Sequence, residues 1–198
     1  MFWQVLYEGI IMGSVYALLA MGIALVWGVM NILSFAQGEF MMIAMYLSFY
    51  FNQILRLDPL IAMPFVIVIM FFFGIVVYKL LITRALKGPV LSQRLITFAL
   101  GLILVNGTVL LAGGQTKTIQ NIAFAGSIDL GLIVVSKQKL VLLFTSLIVT
   151  ALLFWFMNRT KPGKAIRATA QDKTSARLVG INTEVAYMTA FGISTAIA

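Results

Sequence analysis

Between Gly9 and Gly38 the chain runs for thirty residues without a charged side chain, reading GIIMGSVYALLAMGIALVWGVMNILSFAQG before Glu39. As one helix this run would extend about 45 Å, against roughly 30 Å of hydrocarbon in a bilayer. A break is therefore expected within it. Six small residues, Gly9, Gly13, Ala17, Ala20, Ala24 and Gly28, recur in steps of three or four and share one helix face. In a membrane, small residues at this spacing let a neighbouring backbone approach closely, and the row is expected to be a helix-packing seam. A polar cluster follows at once: Asn31, Ser34, Gln37, Gly38 and Glu39.

The rest of the chain makes the membrane reading general. Of 198 residues, 62% are apolar and only 10% charged, whereas a soluble domain keeps about a quarter of its residues charged. Cysteine and histidine are absent, which removes disulfides, thiolate chemistry and the commonest general base and metal ligand. No catalytic, metal or cofactor site is expected, and an enzyme is the least favoured class. The net charge of +8 sits in loops beside apolar spans, so topology accounts for it better than nucleic acid does. The start, MFWQVLYEG, lacks a basic n-region, and the first span is expected to be retained.

Charges punctuate the chain into further spans. Phe40–Leu55 is short and is expected to borrow residues from the polar cluster before it; Pro59–Tyr78, Leu95–Thr116 and Leu140–Asn158 follow. The span 140–158 is bulky all round and is expected to face lipid over much of its surface. Residues 117–139 form a polar connection. The last apolar run, Val185–Ala198, has fourteen residues, too few to span, and reads as the start of a sixth span in a truncated chain. The fold class expected is all-α: one polytopic membrane bundle over 1–198 with about five complete transmembrane helices, the start of a sixth and a cytoplasmic loop at 159–184.

Ten of the fourteen basic residues fall in 79–94 and 159–177, two segments separated by two spans. Both then lie on one side, which the positive-inside rule makes cytoplasmic, with the N-terminus outside unless 31–39 is re-entrant. Unpaired polar groups in hydrocarbon cost several kcal/mol each, so the cluster 31–39 must face protein or water. It reads either as a broken helix lining a solute path or as an interfacial loop, and Glu39 can alternatively cap the helix beginning there. In 161–182, Pro162–Gly163 ends a span, Asp172 can cap a second short helix, Gly180 can end it, and Asn182 or Thr183 can cap the next. The alanines Ala165, Ala168, Ala170 and Ala176 suggest close docking against protein, where a basic collar on anionic lipid would need none.

Two strings carry a resemblance. Gly13-Ser-Val-Tyr-Ala-Leu18 with Asn31-Ile-Leu-Ser-Phe-Ala-Gln-Gly-Glu39 resembles the N-terminal signature of the branched-chain amino acid (LIV-type) ABC transporter permeases. Gly163-Lys-Ala-Ile-Arg-Ala-Thr-Ala-Gln-Asp172 through Leu178-Val-Gly-Ile-Asn182 resembles the same family's coupling loop. The resemblance covers essentially the whole chain. It implies a bacterial inner-membrane, multi-pass permease subunit for branched-chain or related amino acids, corresponding to the N-terminal two thirds of a family-length permease. Implied partners are a second permease subunit, two cytoplasmic ATPases and a periplasmic solute-binding protein, with no nucleic acid. Alternating access would be driven by ATP hydrolysis on the partner. The expected solute path takes Asn31, Ser34, Phe35, Gln37, Gly38, Glu39 and Asn106. Expected ATPase coupling falls to Gly163, Ala165, Ala168, Thr169, Asp172, Ala176 and Gly180. The alternatives are a urea or short-chain amide ABC permease, a secondary transporter or channel, and a membrane scaffold without transport. Few buried ionisable groups argue against ion-coupled transport.

Overall fold

The computed structural model describes residues 2–32, 34–86, 88–115, 117–119, 126–129 and 134–198. Among these the chain forms α1 (Phe2–Met30), α2 (Gln37–Leu55), α3 (Pro59–Ala85), α4 (Val90–Ala112), α5 (Lys137–Arg159), α6 (Lys161–Gln171), α7 (Lys173–Leu178) and α8 (Thr183–Ile197). Helices α1, α3, α4 and α5 are long and apolar enough to cross a membrane. Helix α2, with 19 residues, is long enough too, but Gln37, Glu39, Asn52 and Gln53 make it less apolar. The chain is thus a polytopic helical bundle, and its five long helices correspond to the five expected spans. Part of the connection 117–139 lies outside the described residues. Within the rest, β1 (Ser127–Asp129) and β2 (Val134–Ser136) pair antiparallel, with Ile128 opposite Val135.

Local chemistry sets most of the helix boundaries. Asp58 accepts from the Leu60 amide (3.1 Å) ahead of Pro59, whose missing N–H costs nothing in a first turn. Helix α3 then widens into one π turn at Tyr78–Ile82, where the Thr83 hydroxyl donates to the Tyr78 carbonyl at 3.0 Å. Helix α2 ends on Arg56 in the left-handed region (φ 51°).

The two ends of the bundle differ in charge. Lys139 meets Glu8 at 3.2 Å, placing the starts of α1 and α5 together. The Lys117 ammonium lies 5.1–5.8 Å from the rings of Tyr46, Phe49 and Tyr50 and holds the residues after α4 against the outer half of α2. The opposite, basic end gathers the close of α3, the start of α4 and the pair α6–α7, on which the end of α1 packs.

Helix α8, too short to span on sequence grounds, sits at the centre of the fold. It packs most extensively against α3 and next against α1, and eight of its residues are buried. Phe191 stands edge-on to Phe40 (5.9 Å), which is edge-on to Phe73 (6.1 Å), so one aromatic cluster joins α2, α3 and α8. Lipid is as apolar as these side chains, so close packing and buried hydrogen bonds hold the helices together. The outer faces carry Leu110, Leu111 and Phe154, all largely exposed as lipid contact requires. On α5 only Ser146 is buried, in keeping with its all-round bulk.

Candidate functional site

The break in the opening run falls after Met30, with Asn31 in the left-handed region at φ 55°. From Gly22 to Met30 helix α1 advances about 12 Å towards the basic end. The chain then turns back, and α2 starts with Gln37 reaching across Gly22. The Gln37 amide nitrogen donates to the Ser194 carbonyl (3.0 Å), and the Ser194 hydroxyl donates to the Gly22 carbonyl (2.7 Å). A Cβ at Gly22 would come within 2.6 Å of that amide. The first turn of α2 therefore lies inside the bundle.

The predicted path residues divide on this geometry. Gln37 is 4% exposed and committed to the tie between α1, α2 and α8, so its amide serves packing and does not line an open path. Asn31, Phe35 and Gly38 are exposed, and nothing lies within 4 Å of where a Gly38 Cβ would be. Ser34 is buried, and its hydroxyl has no hydrogen-bond partner. Glu39 occupies the third position of α2, where a side chain can return to cap the helix start, yet α2 has no side-chain cap. Its carboxyl instead lies against α4 at Gly101, whose Cβ would stand 3.3 Å from the Glu39 Cδ, and the Glu39 Oε2 is buried without a partner. Asn106 lies five residues beyond Gly101 on α4, is exposed, and donates to the Leu102 carbonyl of its own helix (2.7 Å).

At the basic end, both short helices are capped, the second by Asp172 as the sequence suggested. Thr160 accepts from the Gly163 amide (3.1 Å), and Gly163 nests against the Phe156 carbonyl and the Met157 backbone with no room for a side chain. Asp172 accepts from the Thr174 amide (2.8 Å) and from the Ser175 hydroxyl. The hydroxyl first, then the amides of Thr174 and Ser175, hold its carboxyl below the usual carboxylate range. Gly180 ends the turn at φ 83°, and Asn182 accepts from the amides of Glu184 and Val185 to start α8. Of the four alanines expected to dock against protein, Ala176 packs within this chain and Ala170 is exposed. Gly163, Ile166, Thr169 and Ala176 are buried, while Ala165 and Ala168 are half-buried. The buried members are therefore unavailable to a partner. Asp172 and Gly180 are exposed, as are Leu178 (83%) and Val179 (75%), which the sequence reading passed over.

The row Gly9, Gly13, Ala17, Ala20, Ala24 and Gly28 is exposed along its whole length, with nothing within 4 Å of a Cβ at any of its three glycines. It is not a seam within this chain. That seam uses Gly22 on α1, Gly74 on α3 and Gly192, Ser194 and Thr195 on α8. A Cβ at Gly74 would collide with the Thr195 hydroxyl, which donates to the Met70 carbonyl at 3.1 Å. A signal existed in the sequence: Ala186, Ala190 and Ser194 recur every four residues in the run set aside as too short.

A family described as the permease component of branched-chain amino acid transport systems matches residues 5–198. The chain is 30% identical to the high-affinity branched-chain amino acid transport system permease protein BraD of Pseudomonas aeruginosa, over 98% of this chain and 67% of that protein. It is 32% identical to the permease protein LivH of Escherichia coli, over 100% of this chain and 68% of that protein. It is 26% identical to a probable LivH of Methanocaldococcus jannaschii, over 98% and 63%. No solved structure matches the chain. The chain spans about two thirds of the length of these relatives. With the multi-pass bundle, the turned-back break and the capped pair of helices at its basic end, it belongs to the branched-chain amino acid transport permease family.

Proposed function

We propose that the chain is a permease subunit of an ABC importer for branched-chain or related amino acids, working by alternating access. Its basic end would face the cytoplasm of a bacterial inner membrane, as the lysine and arginine distribution favours. Partners would be a second permease subunit, two ATPase subunits and a periplasmic solute-binding protein. The observation that carries the reading is the α6–α7 pair. It is joined to α5 through Thr160 and to α8 through Arg177, which donates to the Thr183 hydroxyl at 3.0 Å, and it is packed on the bundle through Ile166, Thr169 and Ala176. A push on its outer surface would reach α8, and with it Ser194 and the first turn of α2. The surface left for an ATPase groove is Leu178 and Val179, flanked by Lys173, Arg177 and Asp172.

The test is leucine uptake and ATP hydrolysis in proteoliposomes holding this chain with its partner subunits. Leu178→Asp with Val179→Asp should abolish uptake while the permease still folds, and ATP hydrolysis should no longer respond to the loaded binding protein. Unchanged uptake and coupling in that variant would move the ATPase contact away from this turn.

A further inference from the structure

The Glu39 carboxyl has a setting that packing does not explain. It sits in the first turn of α2, inside the bundle, on a residue that could have capped its own helix and does not. One oxygen, Oε2, is buried with no hydrogen-bond partner. The wall it lies against is the backbone of α4 at Gly101, where a Cβ would stand 3.3–3.5 Å from Cδ, Oε1 and Oε2, in close contact with the carboxyl. Among the described residues the ion pair is Glu8–Lys139, at the far end of the bundle. An uncompensated carboxylate between membrane helices is costly, and ionisable groups within membrane segments mark substrate or ion pathways, proton relays or ligand counter-charges. Its neighbours Asn31, Phe35 and Gly38 are exposed, and nothing lies within 4 Å of a Gly38 Cβ, so the break has an uncovered side.

We propose that Glu39 is the counter-charge for the α-ammonium group of the transported solute, held between α2 and the bare backbone at Gly101; the assignment rests on the importer reading above. An ammonium brings three donors and a full positive charge. The Glu39 oxygens accept from it, and the buried Ser34 hydroxyl, also without a partner, supplies a further polar group in the same break. This restricts the solute class to primary amines such as α-amino acids. Urea and simple amides, which carry no charge, fit it poorly.

The test uses the complex of this chain with its partner subunits in nanodiscs, without the binding protein, and measures direct binding of two probes of equal shape. One is 3-methylbutylamine, cationic at neutral pH; the other is 3-methylbutanol, neutral. The complex should prefer the amine, and Glu39→Gln should weaken amine binding by about tenfold or more while leaving the alcohol unchanged. Gly101→Val keeps the acid but crowds it and should weaken amine binding as well; it carries the test should Glu39→Gln fail to fold. Equal binding of amine and alcohol, or amine binding untouched in a folded variant, would overturn the assignment. Failure of the ATPase subunits to co-purify with the unmodified chain would instead sink the importer reading, so the two failures are distinguishable.

Discussion

Gly22 and Gly13 lie on the same helix and meet opposite surroundings. Gly22 is pressed by the Gln37 amide and the Ser194 backbone, while nothing comes near Gly13. Gly22→Val should therefore lower the unfolding free energy of the chain in micelles by about 1–3 kcal/mol, because the tie among three helices has to open. Gly13→Leu should leave that value within about 0.5 kcal/mol and instead impair assembly with the proposed second permease subunit, read by co-purification. The six-residue row was legible as a face that favours close approach. Its partner was not, because a row of small residues states how near a neighbour can come without saying which neighbour. The same limit applies to Gln37. Its amide looked like a path group, but whether a polar side chain meets solute or another helix depends on a residue 157 positions away.

Among the elements, the clearest reading came from caps, whose chemistry is confined to a few adjacent residues. Asp172, Gly180 and Asn182 hold the positions that their side chains or backbone favour. Asp172 carries a pH consequence. Its hydrogen bonds hold the folded carboxyl below the ordinary carboxylate range, so the cap on α7 is fully present above that range and is lost as pH falls through the lower folded value. Hydrogen exchange at the Thr174 and Ser175 amides should accordingly stay slow at pH 4 and quicken in more acidic buffer, and in Asp172→Ala it should be fast throughout. At the other end, Lys117→Ala should remove the cation held by Tyr46, Phe49 and Tyr50. Faster proteolysis after α4, with unaltered thermal stability of the bundle, is the expected result.

At the scale of the whole molecule, the fold is organised about a helix that sequence length alone discounts. Fourteen apolar residues cannot cross a bilayer, and that arithmetic hid the fact that α8 buries eight of its fifteen residues against its neighbours. Its burial was written in the spacing of Ala186, Ala190 and Ser194, a pattern weaker than a long hydrophobic run and so easily outvoted. Gly74→Leu should prevent α3 from closing on α8, costing about 3 kcal/mol and leaving a protease-sensitive bundle in which α1 to α5 still insert. This central placement also imposes a timetable on biosynthesis. The Ser194 hydroxyl closes on a carbonyl 172 residues earlier, and the Thr195 hydroxyl on one 125 residues earlier. At about 5–20 residues per second, helix α1 waits on the order of ten to thirty seconds in the bilayer for the strut that fits between it and α3. During that interval the faces of α1 and α3 that α8 will cover meet lipid or the insertion machinery instead.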